Sequence, residues 1–234
     1  YRETAASNWH ALASYVARQA DWKDCLLVDL GSTTCDVIPI TNGQVAAAGY
    51  TDTERLMAGE LVYLGCERTA IPHLVSELPY RGEMCPVARE HFATMLDVQL
   101  LTQPNSERPE YYETADRRPA MKRWAVGRIG RCICAEAPEW TETDAIGAAE
   151  YVFASTVGLL REAIRKVLSA NPQLASAPVV VSGHGEWLIE PILSSDLSRN
   201  PVELLRNKIG PEASRAAPAF ALVQLAKEHL QGSS

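Results

Sequence analysis

Residues 26–40, LLVDLGSTTCDVIPI, constrain the fold more than any other part of the chain, because they read as two apolar strands joined by a glycine and three hydroxyl residues. The run 25–30 suits a buried strand, Gly31-Ser32-Thr33-Thr34 a tight turn, and 35–40 a second strand. At Gly31 the backbone can come close to a ligand. The N–H groups and hydroxyls of Ser32, Thr33 and Thr34 can converge there on anionic oxygens. Asp29 and Asp36 flank the turn, so a hard cation such as Mg²⁺ fits, through water, between carboxylate and phosphate. The same residues also make an ordinary hairpin turn, with strand aspartates capping neighbouring loops. Both readings stand on this stretch alone.

A chain of 234 residues, 47% hydrophobic, can bury the core of one large or two small domains. Its net charge of −7, without a Lys/Arg run longer than two, argues against a nucleic-acid or anionic-membrane partner. A small phosphorylated molecule is the expected partner, and a homo-oligomer stays open. Cysteines at 25, 35, 66, 85, 132 and 134 form no C-x-x-C pair and mostly sit in apolar segments. They read as reduced core residues of a cytoplasmic protein, Cys132 and Cys134 included. No apolar run approaches the roughly 20 residues that a bilayer demands.

Along the chain, Ser7 is the expected cap of a helix ending near Gln19. Asn42-Gly43 signals a type I′ hairpin into a third strand at 44–48. Thr51 to Glu54 has capping-box spacing, and 60–65, 71–75 and 84–87 are short strand candidates. A helix is expected over 88–101, where Phe92, Met95, Leu96 and Leu100 recur at helical spacing, and a mobile polar loop or lid over 103–118. A helix with a cationic side is expected over 118–135, read first as a solvated face and alternatively as a substrate-binding one. Thr141 to Asp144 caps a long helix reaching about Ala170. Pro178 to Val181 is a buried strand entering Ser182-Gly183-His184-Gly185, and a helix follows from Glu186. Strand, glycine turn and helix N-terminus make a candidate anion or ribose site. Ser214 is the expected N-cap of a last helix whose apolar side carries Phe220, Leu222, Val223, Leu225 and Ala226.

The pattern D-x-G-S-T-T-x-D, two hydrophobic residues and proline resembles the second phosphate motif of the superfamily of actin, sugar kinases and heat-shock chaperones, in its hydantoinase A and oxoprolinase form. Ser182 to Gly185 is similar in order and spacing to that superfamily's adenosine motif. The resemblance implies an α/β fold, a ribonuclease H-like (actin-like ATPase) mixed sheet flanked by helices. Residues 25–50 and 119–234 would form the lobe, and 51–118 a small β-rich insert. Residues 1–24 would connect to an N-terminal lobe carrying a D-x-G-G motif, which lies outside a chain that begins at Tyr1.

Further stretches narrow the resemblance: Ala6-Ser7-Asn8-Trp9-His10, Glu60-Leu61-Val62-Tyr63 with Arg68-Thr69, Phe92-Ala93-Thr94 with Asp97-Val98, Thr114-Ala115-Asp116 with Arg118-Pro119, and Ser214-Arg215-Ala216-Ala217-Pro218-Ala219. They resemble the tetrahydromethanopterin-linked one-carbon transfer branch, which includes methanofuran biosynthesis. Cys35 stands where that branch more often has Thr, and Arg117 where it often has Gly. The resemblance implies condensation of an aminomethylfuran-methyl diphosphate with the phenol of γ-glutamyltyramine, releasing diphosphate. Asp29 and Asp36 would be catalytic carboxylates and Mg²⁺ ligands, Gly31 to Thr34 the phosphate grip, and Ser182, Gly183, His184 and Gly185 the nucleotide or ribose site. Arg117, Arg118, Lys122 and Arg123 would meet the glutamyl carboxylates. ATP is the alternative occupant, in a hydantoinase/oxoprolinase-type amidohydrolase or a small-molecule kinase. A nucleotide-binding module without turnover is the third reading.

Overall fold

The computed structural model describes residues 7–232; the expected cap by the Ser7 side chain lies outside what is described. Helix α1 (Ser7–Ala17) lays Trp9, Leu12, Ala13 and Val16 against the sheet and ends before a 3₁₀ turn at Ala20–Trp22. Every residue of strand β1 (Cys25–Leu30) is buried, Asp29 included, as its otherwise apolar sequence demands of a central strand covered on both faces. Strand β2 (Cys35–Thr41) runs antiparallel to it, with Asp29 opposite Asp36 and Leu30 opposite Cys35. Asn42 (φ 53°) and Gly43 (φ 70°) make the expected left-handed two-residue turn into β3 (Gln44–Val45). That strand is shorter than expected because the N–H groups of Ala48 and Gly49 donate to the Glu60 carboxylate instead of a ladder. Helix α2 (Asp52–Ala58) carries the full capping box of Thr51 and Glu54, and β4 (Leu61–Val62) pairs with the start of β2.

The chain forms two compact units, one gathering the residues up to Leu64 and from Leu160 onward, the other Gly65–Leu159. The sequence placed an insert at 51–118. Residues 51–64 stay with the first unit, because β4 pairs with β2 and Arg55 of α2 binds Asp36. In the second unit, Ile71–His73 is a 3₁₀ turn where a strand was expected. Its Pro72 has no N–H to give a ladder. Strands β5 (Glu77–Tyr80) and β6 (Glu83–Pro86) form a hairpin through Arg81 and Gly82, both at positive φ. Helix α3 (Met95–Thr102) starts seven residues later than expected, since the carboxylate of Asp97 takes the N–H of Thr94 and sets the helix start there. The polar stretch expected as a lid is irregular but tied down: Arg108 pairs with Glu67, and Asp116 with Arg128 and Arg131. In α4 (Lys122–Arg131) the expected solvated cationic side fails at Arg128, which is 0% exposed. Cys132 is buried as expected; Cys134 is exposed, at φ 59°. Helix α5 (Glu142–Ala170) is capped by reciprocal bonds between Thr141 and Asp144.

Back in the first unit, β7 (Val179–Gly183) runs parallel to β1, and α6 (Glu186–Ser195) follows it. β8 (Val202–Leu204) pairs parallel with β7, giving the order β3-β2-β1-β7-β8 with β4 on β2. Helices α7 (Leu205–Ile209), α8 (Pro211–Arg215) and α9 (Ala217–Gly232) complete the unit. Ser214 lies buried inside α8 rather than capping α9. The expected apolar side of α9 is only partly used. Ala217 and Ala221 enter the core, whereas Leu222 and Val223 are exposed, because small side chains suffice for close packing on α1. The result is a mixed sheet flanked by helices. Among the described residues no helix is long and apolar enough to cross a membrane.

Candidate functional site

The register of three strands builds the site. Asp29, near the end of β1, lies opposite Asp36 on the antiparallel β2 and beside Ser182 on the parallel β7. The turns 31–34 and 182–185 therefore emerge at the same edge of the sheet. Two bonds join them: Ser182 Oγ donates to Asp29 Oδ1 at 2.6 Å, and Gly185 N–H donates to the Leu30 carbonyl at 3.0 Å. Gly183 has φ 87°, and a Cβ there would stand 2.2 Å from the Leu30 carbonyl oxygen. Only glycine fits that crossing.

A cavity of about 310 Å³ opens on this edge. Asp29, Gly31, Ser32, Thr33, Thr34 and Asp36 line it on one side, Gly183 and His184 on the other. The turn closes on itself by Gly31 N–H donating to the Thr34 carbonyl at 3.0 Å, and the hydroxyls of Ser32 and Thr33 lie 3.4 Å apart. A Cβ on Gly31 would meet only the Thr34 carbonyl, at 3.7 Å. Packing at this point therefore does not require the glycine, and open space lies before it. Two of the expected contacts serve the protein instead. Ser182 is spent on Asp29, and the N–H of Gly185 on the sheet.

Arg55, which sequence reasoning missed, puts a buried cation beside Asp36. Its side chain is 1% exposed, donates to Asp36 Oδ1 at 2.6 Å and to the Glu60 carbonyl at 3.1 Å, and lies 3.9 Å over the Trp9 ring. Its Nε has no partner among the described residues. The capping box of α2 was the available signal, since it fixes the helix turn from which Arg55 projects. Asn8, Trp9 and Tyr63 line the same cavity and were quoted only as parts of a fingerprint.

Burial pushes Asp29 up to about 7, against the bond from Ser182 and the influence of His184, and with the Asp36 charge adding to the rise. Burial also raises Asp36, while the Arg55 guanidinium opposes it. Asp29 can therefore accept a proton near neutrality, and Asp36 is the carboxylate whose charge is already met. Among the described residues no three His, Cys, Asp or Glu side chains gather to hold a metal. Mg²⁺, however, needs only one or two carboxylates when phosphate oxygens and water complete its shell. Asp29 and Asp36, facing each other across the hairpin, fit that requirement.

Arg117, Arg118, Lys122 and Arg123 belong to the second unit. Arg118 and Arg123 lie over the Trp124 ring, at 4.4 and 5.1 Å, Lys122 pairs with Glu142 at 2.8 Å, and Arg117 is held at φ 58°.

Comparison with known proteins gives relatives to this arrangement. The chain is 31% identical over 220 residues to a Methanococcus vannielii protein named (4-{4-[2-(gamma-L-glutamylamino)ethyl]phenoxymethyl}furan-2-yl)methanamine synthase, covering 93% of this chain and 97% of that one. A Methanocaldococcus jannaschii protein of the same name is 32% identical over 234 residues, 98% of this chain and 67% of its own length. Among solved structures, the Alp12 filament is similar at 12% identity over 93% of this chain and 52% of that one, with a TM-score of 0.37. The hydantoinase/oxoprolinase family profile matches residues 1–189, so the chain belongs to the hydantoinase/oxoprolinase family.

Proposed function

We propose that this chain makes an aryl ether, joining an aminomethylfuran-methyl diphosphate to the phenol of γ-glutamyltyramine with release of diphosphate. The observation that carries this reading is its identity, over more than nine tenths of its length, to two proteins named for that ether. The strand order, a three-stranded antiparallel start continued by parallel strands, supports a ribonuclease H-like lobe of the actin-like kind.

The phenol oxygen attacks the furan methylene, the bond from that carbon to the diphosphate oxygen breaks, and the phenol proton leaves. Ser32, Thr33 and Thr34 hold the diphosphate by backbone N–H groups and hydroxyls, with Gly31 leaving room for its approach, where negative charge grows as the bond breaks. Asp29, raised to about 7, is matched to take the phenol proton. Asp36, paired with Arg55 at 2.6 Å, keeps the guanidinium in place at the pocket wall. Bound Mg²⁺ would neutralise the departing diphosphate, with Asp29 and Asp36 holding it through water, so that Asp29 keeps an oxygen for the proton.

Incubating the protein with the furan diphosphate, γ-glutamyltyramine and Mg²⁺ should release one diphosphate per ether formed, with no nucleotide present. Absolute dependence on ATP, with ADP produced, would replace this reading by an amidohydrolase or kinase. Tight nucleotide binding without turnover of either substrate class would leave only a binding module.

A further inference from the structure

A second cavity, of about 270 Å³, adjoins the first, and Gly183, His184 and Arg215 line both. Its own walls carry Glu186, Trp187, Arg206 and Ser214. Glu186 Oε2 and Arg206 Nη1 are 2.6 Å apart, and their side chains are 17% and 49% exposed. Ser214 is 1% exposed, and its hydroxyl has no partner among the described residues. A buried hydroxyl left without a partner is costly unless a ligand supplies one.

We infer that this second cavity takes the α-amino-acid head, ammonium and carboxylate together, of the phenol-bearing substrate. The inference rests on the aryl-ether reading, since a γ-linked glutamyl group leaves both of those charges free. A carboxylate and a guanidinium side by side are the mirror image of such a head: the ammonium goes to Glu186, the carboxylate to Arg206 and Arg215, and the Ser214 hydroxyl to either. Burial raises Glu186 and Arg206 only partly opposes it, so a second cation beside Glu186 is favourable. The shared wall lets one molecule lie with its amino-acid head here and its phenol in the first cavity, toward Asp29. Recognition of the glutamyl head then falls to the first unit, and Arg117, Arg118, Lys122 and Arg123 of the second are not needed for it.

The test compares two acceptors in the full chain with Mg²⁺ and the furan diphosphate: γ-glutamyltyramine, and N-acetyltyramine, which keeps the phenol and lacks the amino-acid head. Glu186→Gln and Arg206→Met, both at positions partly open to solvent, should raise KM for γ-glutamyltyramine at least tenfold with kcat within twofold. KM for N-acetyltyramine should not change. Calorimetric titration of γ-glutamyltyramine, without the furan substrate, should show the same loss of affinity in both variants. Equal losses on the two acceptors, no loss at all, or displacement of γ-glutamyltyramine by ATP in the titration would overturn the inference. Wild-type binding that both variants abolish, in a protein that forms no ether, would uphold the cavity and refute the reaction. Turnover that both variants leave intact would do the reverse.

Discussion

Two buried arginines, one in each unit, hold aspartates by the same chemistry and come to opposite ends. Arg128 is 0% exposed, with Nε on Asp97 at 2.7 Å and Nη1 on Asp116 at 2.9 Å. Asp97 also takes the N–H of Thr94, and Asp116 that of Arg118, so the cluster ties a helix start and a long loop to α4. Arg55 has one aspartate, a carbonyl and an aromatic ring, and its pair forms a wall of the cavity that holds the hydroxyl turn. The Arg55 pair thus borders open space beside a second ionisable group, Asp29. Arg128, held by two carboxylates with its Nη2 without a partner among the described residues, works as a clamp.

The comparison can be broken or sharpened by substitution. The largest effect is expected at Asp29, where Asn should lower turnover by about 10²–10⁴-fold if that carboxylate takes the phenol proton. Wild-type kcat/KM should rise with pH through about 7, because the base must be unprotonated. A limb that moves to lower pH as Mg²⁺ is raised would report metal ligation by the same group. The stability of the ligand-free protein should change in the opposite direction. A carboxyl raised from its unfolded value favours the fold when protonated, so that contribution is lost as pH rises through 7. Asp29→Asn should accordingly be more stable than wild type at pH 8, by on the order of 2–4 kcal/mol in urea unfolding, and match it near pH 4.

Next comes Arg128→Ala, which strips Asp97 of its guanidinium and leaves Asp116 to Arg131 and Arg118, and should destabilise by about 3–5 kcal/mol in the same assay. A loss below 1 kcal/mol would mean the cluster is no clamp. Arg55→Lys keeps the charge but gives up the planar contact with Trp9 and the shared donation of Nη2 to Asp36 and the Glu60 carbonyl. Its expected signature is kinetic, roughly a tenfold rise in KM for the diphosphate substrate, equivalent to about 1.4 kcal/mol. Unfolding that changes more than KM would place Arg55 with Arg128. Ser32→Ala should weaken binding of inorganic diphosphate by about 1–3 kcal/mol; an unaltered affinity would make the turn merely structural. The smallest effect belongs to Asp196, held near 2 by bonds from Arg161, Ser195 and Arg165 on an open surface. Its contribution is present above the unfolded value and is lost as pH falls toward 2, and Asp196→Asn should cost less than about 1 kcal/mol at pH 7.

The hairpin, its turn and the two capping boxes at Thr51 and Thr141 were legible because each depends on neighbours within a few residues, whereas the expected Ser214 cap was not formed. Gly31 to Thr34, Asn42-Gly43, the Thr51 to Glu54 box and the Thr141 to Asp144 box all sit where local patterning placed them. The late start of α3 was missed although its Thr94-Asp97 signal is equally local, since the apolar spacing of Phe92 with Met95 and Leu96 outweighed it. Arg128 was read as part of a solvated side because its partners lie 31 and 12 residues away. The exposed half of α9 was misjudged for the converse reason: periodicity reports an apolar stripe, while the surface that covers it is set by what packs nearby.

By itself the sequence determined the two strands, the hydroxyl turn between them, the glycine turn near residue 183 and the carboxylates beside them. Those features follow from short-range patterning and from glycine's access to backbone angles that other residues avoid. Only the tertiary structure decided that β7 lies parallel to β1 in the register that puts Ser182 on Asp29 and brings the two turns to one cavity. It also decided that Arg55 brings a buried cation to that cavity, with Trp9 beneath it. Burial and the pairing of residues more than a hundred positions apart are set by sheet order, which no local pattern encodes, and they determine which of the aspartates can take a proton near neutral pH.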